Sequence, residues 1–154
     1  MKKSVMQKFD NFQNRKRLGA VAVECALVVP LLVLAVMGMI DVGQFVNVGQ
    51  VVNNASREGA RHAARLDVTT VSEVQDAVES YLEIAFPDAN PTSATVTVKD
   101  GSGNTIPGGD LTTLASGSQV SVTVSFPYDS VRWANGFPTL SGKTLKTTTV
   151  MRRE

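Results

Sequence analysis

The feature that most limits what this chain can fold into is residues 20–40, AVAVECALVVPLLVLAVMGMI. Eighteen of these 21 residues are apolar, the exceptions being Glu24, Pro30 and Gly38. As a helix rising 1.5 Å per residue, the run measures about 31 Å, the thickness of a bilayer's hydrocarbon core. A buried helix of a soluble domain is the competing reading. In a chain of 154 residues too little remains to wrap an apolar cylinder on all sides. The run is therefore read as a membrane span.

The two ends it separates differ in charge. The chain as a whole is +1, but residues 1–18 hold six cations (Lys2, Lys3, Lys8, Arg15, Lys16, Arg17) against one anion, Asp10. Everything after them holds nine cations and 13 anions. Arg15, Lys16 and Arg17 precede the run, Asp41 follows it, and the next cation is Arg57. The excess of cations on one flank predicts a cytoplasmic N-terminus and an extracytoplasmic segment 41–154. A cleaved secretory signal would have a shorter apolar region followed by a small-residue cleavage site. Residues 37–42 offer no convincing one, so the run is expected to stay as an anchor. A single Cys and a single His exclude a disulfide framework, a Cys-based zinc site and a poly-His metal cage. The near-neutral total gives no reason to expect a nucleic-acid partner.

Glu24 is the costly residue of the span, since an acid at the centre of a bilayer helix costs roughly 2.5–3.5 kcal/mol. Its position near the cytoplasmic end allows it to snorkel. A second reading starts from Gly19. Cleavage after Gly19 would make Ala20 the new N-terminus and place Glu24 fifth in the mature chain. The freed amine and the carboxylate could then pair, within one subunit or between neighbours, offsetting much of the cost of burying both.

A basic prefix, Gly, four apolar residues, Glu and an apolar helix resemble the processing site of type IV prepilins and pseudopilins. The wider stretch RLGAVAVECALVVPLLVLAVMGMIDVGQF, with VNNASREGARHAAR after it, is similar to the TadE-like family of minor pilins (pseudopilins) of the tight-adherence (Flp) pilus system. The resemblance covers roughly residues 17–65 and is carried by Gly-Ala-x-Ala-x-Glu, by Val29-Pro30-Leu31 and by the block from Asn54 to Arg61. Two positions depart from it. Cys25 stands where Flp-type prepilins often have an aromatic residue, and Asp41 and Gln44 stand where Glu and a nearby Arg are usual. The resemblance implies a processing site at Gly19, Ala20 and Glu24, cut by a prepilin peptidase on the cytoplasmic face. It also implies the lipid bilayer, other pilins or pseudopilins and pilus platform proteins as partners, and a single-pass location in the bacterial inner membrane.

Past the span the helical pattern continues. Val42, Phe45, Val48 and Val52 recur at steps of three or four, and Ala55, Gly59 and Ala63 follow at four. This predicts an amphipathic stalk over residues 41–66 with a narrow apolar stripe. Its column of small residues, Ala55, Gly59 and Ala63, would let a second helix approach closely. Arg57, Arg61 and Arg65 fall roughly opposite. That basic face is either solvated, with Glu58 pairing to Arg61 or His62, or turned to phosphate headgroups or an acidic partner. His62 beside Glu58 has no nucleophile or third orienting group at useful spacing, so it does not make a catalytic site.

Residues 67–154 read as an α+β head. Thr70-Val-Ser-Glu73 has the form of a capping box and opens a helix that Pro87 closes. Residues 88–91 read as a turn. Beyond it the period changes to two: residues 94–99 alternate, Asp100 to Asn104 read as a turn, and Val120, Val122, Val124 and Phe126 alternate with Ser and Thr. A Thr-rich strand follows at 145–151, and residues 107–118 read as a loop. Trp133, Phe137 and Pro138 are expected to cap the core edge. The fold class is thus α+β and pilin-like: a basic leader (1–19), a transmembrane helix (20–40), a helical stalk (41–66), then a second helix and a small antiparallel sheet (67–154).

No phosphate-binding glycine loop, paired catalytic carboxylates or ligand cluster stands out, so neither an enzyme nor a cofactor or metal is expected. The resemblance implies a membrane-anchored minor pilin that takes part in assembling an Flp-type pilus or related secretion apparatus. The alternative is an unprocessed, signal-anchored extracytoplasmic binding module with no pilus role.

Overall fold

The computed structural model describes residues 2–89, 93–132 and 140–154, with side chains from Val21 onward. The features at Pro91, Trp133, Phe137 and Pro138, and the side chains of Gly19 and Ala20, lie outside the described residues. The chain divides into two compact units, Met1–Ile40 and Asp41–Glu154. A single helix, α1 (Lys2–Ala64), runs through the boundary and contains Pro30.

Within the first unit, the part of α1 from Val21 onward has no side chain buried by the protein. Leu27 and Met39 are each 73% exposed, and the other large apolar side chains there lie bare as well. Among the described residues nothing covers that surface, and a surface of this size needs a solvent of its own kind. One helix this long and apolar fits a single-pass membrane anchor.

Among the described residues, the main elements of the second unit are residues 41–64 of α1, α2 (Val71–Ala85), β1 (Thr95–Asp100), β2 (Gln119–Pro127) and β3 (Thr144–Arg152). The strands form an antiparallel sheet in the order β1-β2-β3. β2 shows why a sheet forms here. Val120, Val122, Val124 and Phe126 are fully buried, while Ser121, Thr123 and Ser125 alternate with them on the other face. A two-residue period with one apolar face buries its apolar half only if something packs on that side. The two helices do so, and the core joins Val48 and Val52 of α1 to Val74, Val78 and Leu82 of α2 and to the inner face of the sheet. Thr70 caps α2: its hydroxyl accepts from the Glu73 N–H, and the Glu73 carboxylate accepts from the Thr70 N–H. The span 107–118, read as a loop, contains two single 3-10 turns, Pro107–Gly109 and Leu111–Thr113, and the second inserts Leu111 into the core.

Residues 41–64 are therefore a core helix of the head, since the compact unit starts at Asp41. Their apolar stripe also differs by one position from the sequence reading. Val42 is 53% exposed, and Asp41 takes its place on the buried side with Phe45, Val48, Val52 and Ala55.

Candidate functional site

Two constellations along α1 in the second unit carry the information. The first is the column Ala55, Gly59 and Ala63, all buried. A Cβ added at Gly59 would stand 2.6 Å from Val78 Cγ2 and 3.3 Å from Val122 Cγ1. At that point α1, α2 and β2 meet, and only a residue without a side chain lets the backbone come so close. The close-approach seam anticipated for a second helix is thus occupied within the chain, by α2 and the central strand. One turn back, Ser56 is fully buried and its hydroxyl lies 2.7 Å from the Thr149 hydroxyl of β3. The opposite face is exposed at Arg57, Arg61 and Arg65. Arg61 pairs with Glu58 at 2.8 Å, His62 Nε2 stands 3.6 Å from the same carboxylate, and Arg65 pairs with Asp67.

The second constellation surrounds Asp41, only 2% exposed although it is the residue that follows the apolar run. The Tyr128 hydroxyl donates to Asp41 Oδ1 at 2.9 Å, and Arg132 Nη2 donates to Asp41 Oδ2 at 3.4 Å. Arg132 has a second carboxylate at 3.9 Å, Asp129. Gln44 donates through Nε2 to the Val131 carbonyl at 2.9 Å. Phe45 sets its ring edge-on to Tyr128, centroids 5.1 Å apart. Burial, and then the hydrogen bond to Asp41, push the Tyr128 hydroxyl up to about 12. It therefore remains a protonated donor across the physiological range. Burying a carboxylate and a guanidinium is tolerated because each offsets the other's lost hydration. The knot ties the first turn of residues 41–64 to the segment leaving β2.

A third buried charge closes the other end. Arg153 is 2% exposed and donates to the carbonyls of Ala63 (3.1 Å) and Val68 (3.2 Å), while Glu154 N–H donates to Ala64 O. A cation on the last carbonyls of a helix is where the helix dipole favours it.

Residues 19–61 match the TadE-like protein family. No curated protein and no solved structure matches the chain. The TadE-like segment starts at Gly19, runs through Glu24 and the apolar span, includes the Asp41 anchor and ends on the helix just past Gly59. Both of its outer landmarks were read from the sequence; the anchor at Asp41 was not. A TadE-like segment that itself includes a candidate membrane helix suggests a Tad pilus-associated membrane protein.

Of the anticipated site residues, Glu24 is exposed on α1 and Gly19 and Ala20 lie within the same helix. Among the described residues, no group of three or more His, Cys, Asp and Glu side chains could hold a metal ion. Sequence reasoning missed Tyr128, Arg132 and Arg153. Two of them carried a signal, since continuing the two-residue alternation of β2 and β3 by one step puts Tyr128 and Arg153 on the core face.

Proposed function

We propose that the protein is a membrane-anchored minor pilin or pseudopilin with a structural role, without catalysis, in assembling a tight-adherence (Flp) pilus or a related secretion apparatus. Residues 20–40 hold it in the inner membrane, its basic leader faces the cytoplasm, and a prepilin peptidase removes that leader after Gly19. The observation that carries this reading is the TadE-like segment at residues 19–61, preceded by a cationic stretch and containing a carboxylate five positions after Gly19. Processing gives that carboxylate a neighbouring amine to pair with, which makes its burial among other stems tolerable.

N-terminal sequencing of the membrane-extracted protein tests the reading. The expected N-terminus is Ala20, and Gly19→Trp should block its appearance. Glu24→Ala should remove the protein from assembled pili while leaving it in the membrane. A working protein that retains residues 1–18, or a Glu24→Ala variant that assembles undiminished, overturns the pilin role and leaves a tethered ectodomain.

A further inference from the structure

The face of α1 that the head leaves bare is unusual for a surface in water. Val42 and Val46 are each 53% exposed. Gly43 between them has nothing within 4 Å of where a Cβ would stand. No charged residue occurs anywhere from 42 to 56, and the other exposed positions along this stretch, Asn47, Gln50 and Asn54, are neutral amides. The nearest carboxylate, Asp41, is held inward by Tyr128 and Arg132. Helix faces turned to water usually carry charges. This one carries none until Arg57, and it follows directly in sequence the apolar run that ends at Ile40.

Its lack of charge and its continuity with the apolar run point to lipid as what covers it. Val42 and Gly43 follow Ile40 by about 3–5 Å of helix, within a headgroup layer roughly 5–8 Å thick per leaflet, and Val46, at about 9 Å, reaches its outer edge. We propose that this face is covered by lipid: Val42 and Gly43 lie in the headgroup layer and Val46 at its outer edge. The inward turn of Asp41 is what permits this, because it removes the one charge that would otherwise hold this turn of helix in water. The neutral amides beyond Val46 then meet the headgroups and water. This inference rests on the span being a membrane anchor and is independent of the pilus role.

Site-specific quenching in vesicles tests it. The full-length protein, in a Cys25→Ala background, receives single cysteines at Leu32, Val42, Val46 or Asn54, labelled with a polarity-sensitive nitrobenzoxadiazole dye. It is reconstituted sparsely in phosphatidylethanolamine and phosphatidylglycerol vesicles. Labels at Val42, and to a smaller extent at Val46, should lose emission to a lipid bearing a nitroxide near its headgroup and resist aqueous iodide, with the reverse at Asn54. Iodide quenching at Val42 and Val46 would overturn the proposal, as would shielding from both quenchers, the signature of a protein neighbour. The Leu32 label separates the two levels of inference. It should respond to a nitroxide deep in the acyl chains whether or not lipid covers Val42 and Val46, and its failure to do so would remove the anchor itself.

Discussion

From Val21 to Ile40 the large apolar side chains of α1 are between 39% and 73% exposed, whereas from Asp41 to Ala64 the same helix hides Val48, Val52, Ala55, Ala60 and Ala63 almost completely. Both stretches are rich in valine and alanine, so composition alone does not separate them. Arrangement does. The first is apolar all round, which suits a solvent that surrounds it on every side. The second confines its apolar residues to one stripe, punctuated by Gly59 and Ser56, and a stripe selects a partner with a matching surface. The glycines make the same point: a Cβ added at Gly38 would have nothing within 4 Å, while one at Gly59 would collide with Val78.

Charge placement gives the sharpest way to break this contrast. Asp41→Ala leaves the buried Arg132 guanidinium with only the more distant, half-exposed Asp129 and removes the carboxylate acceptor of the Tyr128 hydroxyl, which should cost the head about 3 kcal/mol. Glu24→Ala, within the exposed stretch, should leave the head's unfolding curve unchanged. Urea titration of the detergent-solubilised protein, followed by tyrosine fluorescence, compares the two directly. Equal effects, or none at Asp41, would show that the knot does not hold the head together.

A smaller effect is expected at the glycines. Gly59→Ala forces a methyl group against Val78, an overpacking that costs about 1–3 kcal/mol, partly offset by up to about 1 kcal/mol of helix propensity. The head should therefore lose about 1 kcal/mol net. Gly38→Ala meets no neighbour and should leave the head's stability where it was, and the same titration distinguishes them.

Much of this architecture was legible in the order of residues. The change of period after Pro87 marked where helices give way to strands, and Val120 to Phe126 alternates as a half-buried strand must. The capping box at Thr70 and Glu73 located the start of α2. What escaped had a common physical cause: buried polar groups look like solvated ones until their partners are known. Asp41 resembled a marker of the aqueous border, although it shares a helical face with Phe45, Val48 and Val52. Its partners, Tyr128 and Arg132, lie some ninety residues away, a separation no local pattern spans. The small-residue column was recognised as a close-approach seam, yet nothing local says whether the approaching surface belongs to another molecule or, as here, to α2 and β2.

The division of α1 at Ile40 is the claim on which the rest depends, and truncation tests it most directly. Residues 41–154, expressed without leader and span, should give a soluble domain with one cooperative thermal transition. Residues 67–154, lacking the core helix, should stay unfolded, because Val74, Val78 and the buried face of β2 lose the surface that covers them. A folded 67–154 fragment melting at the same temperature as the longer one would contradict the account and return residues 41–66 to the role of a separate stalk.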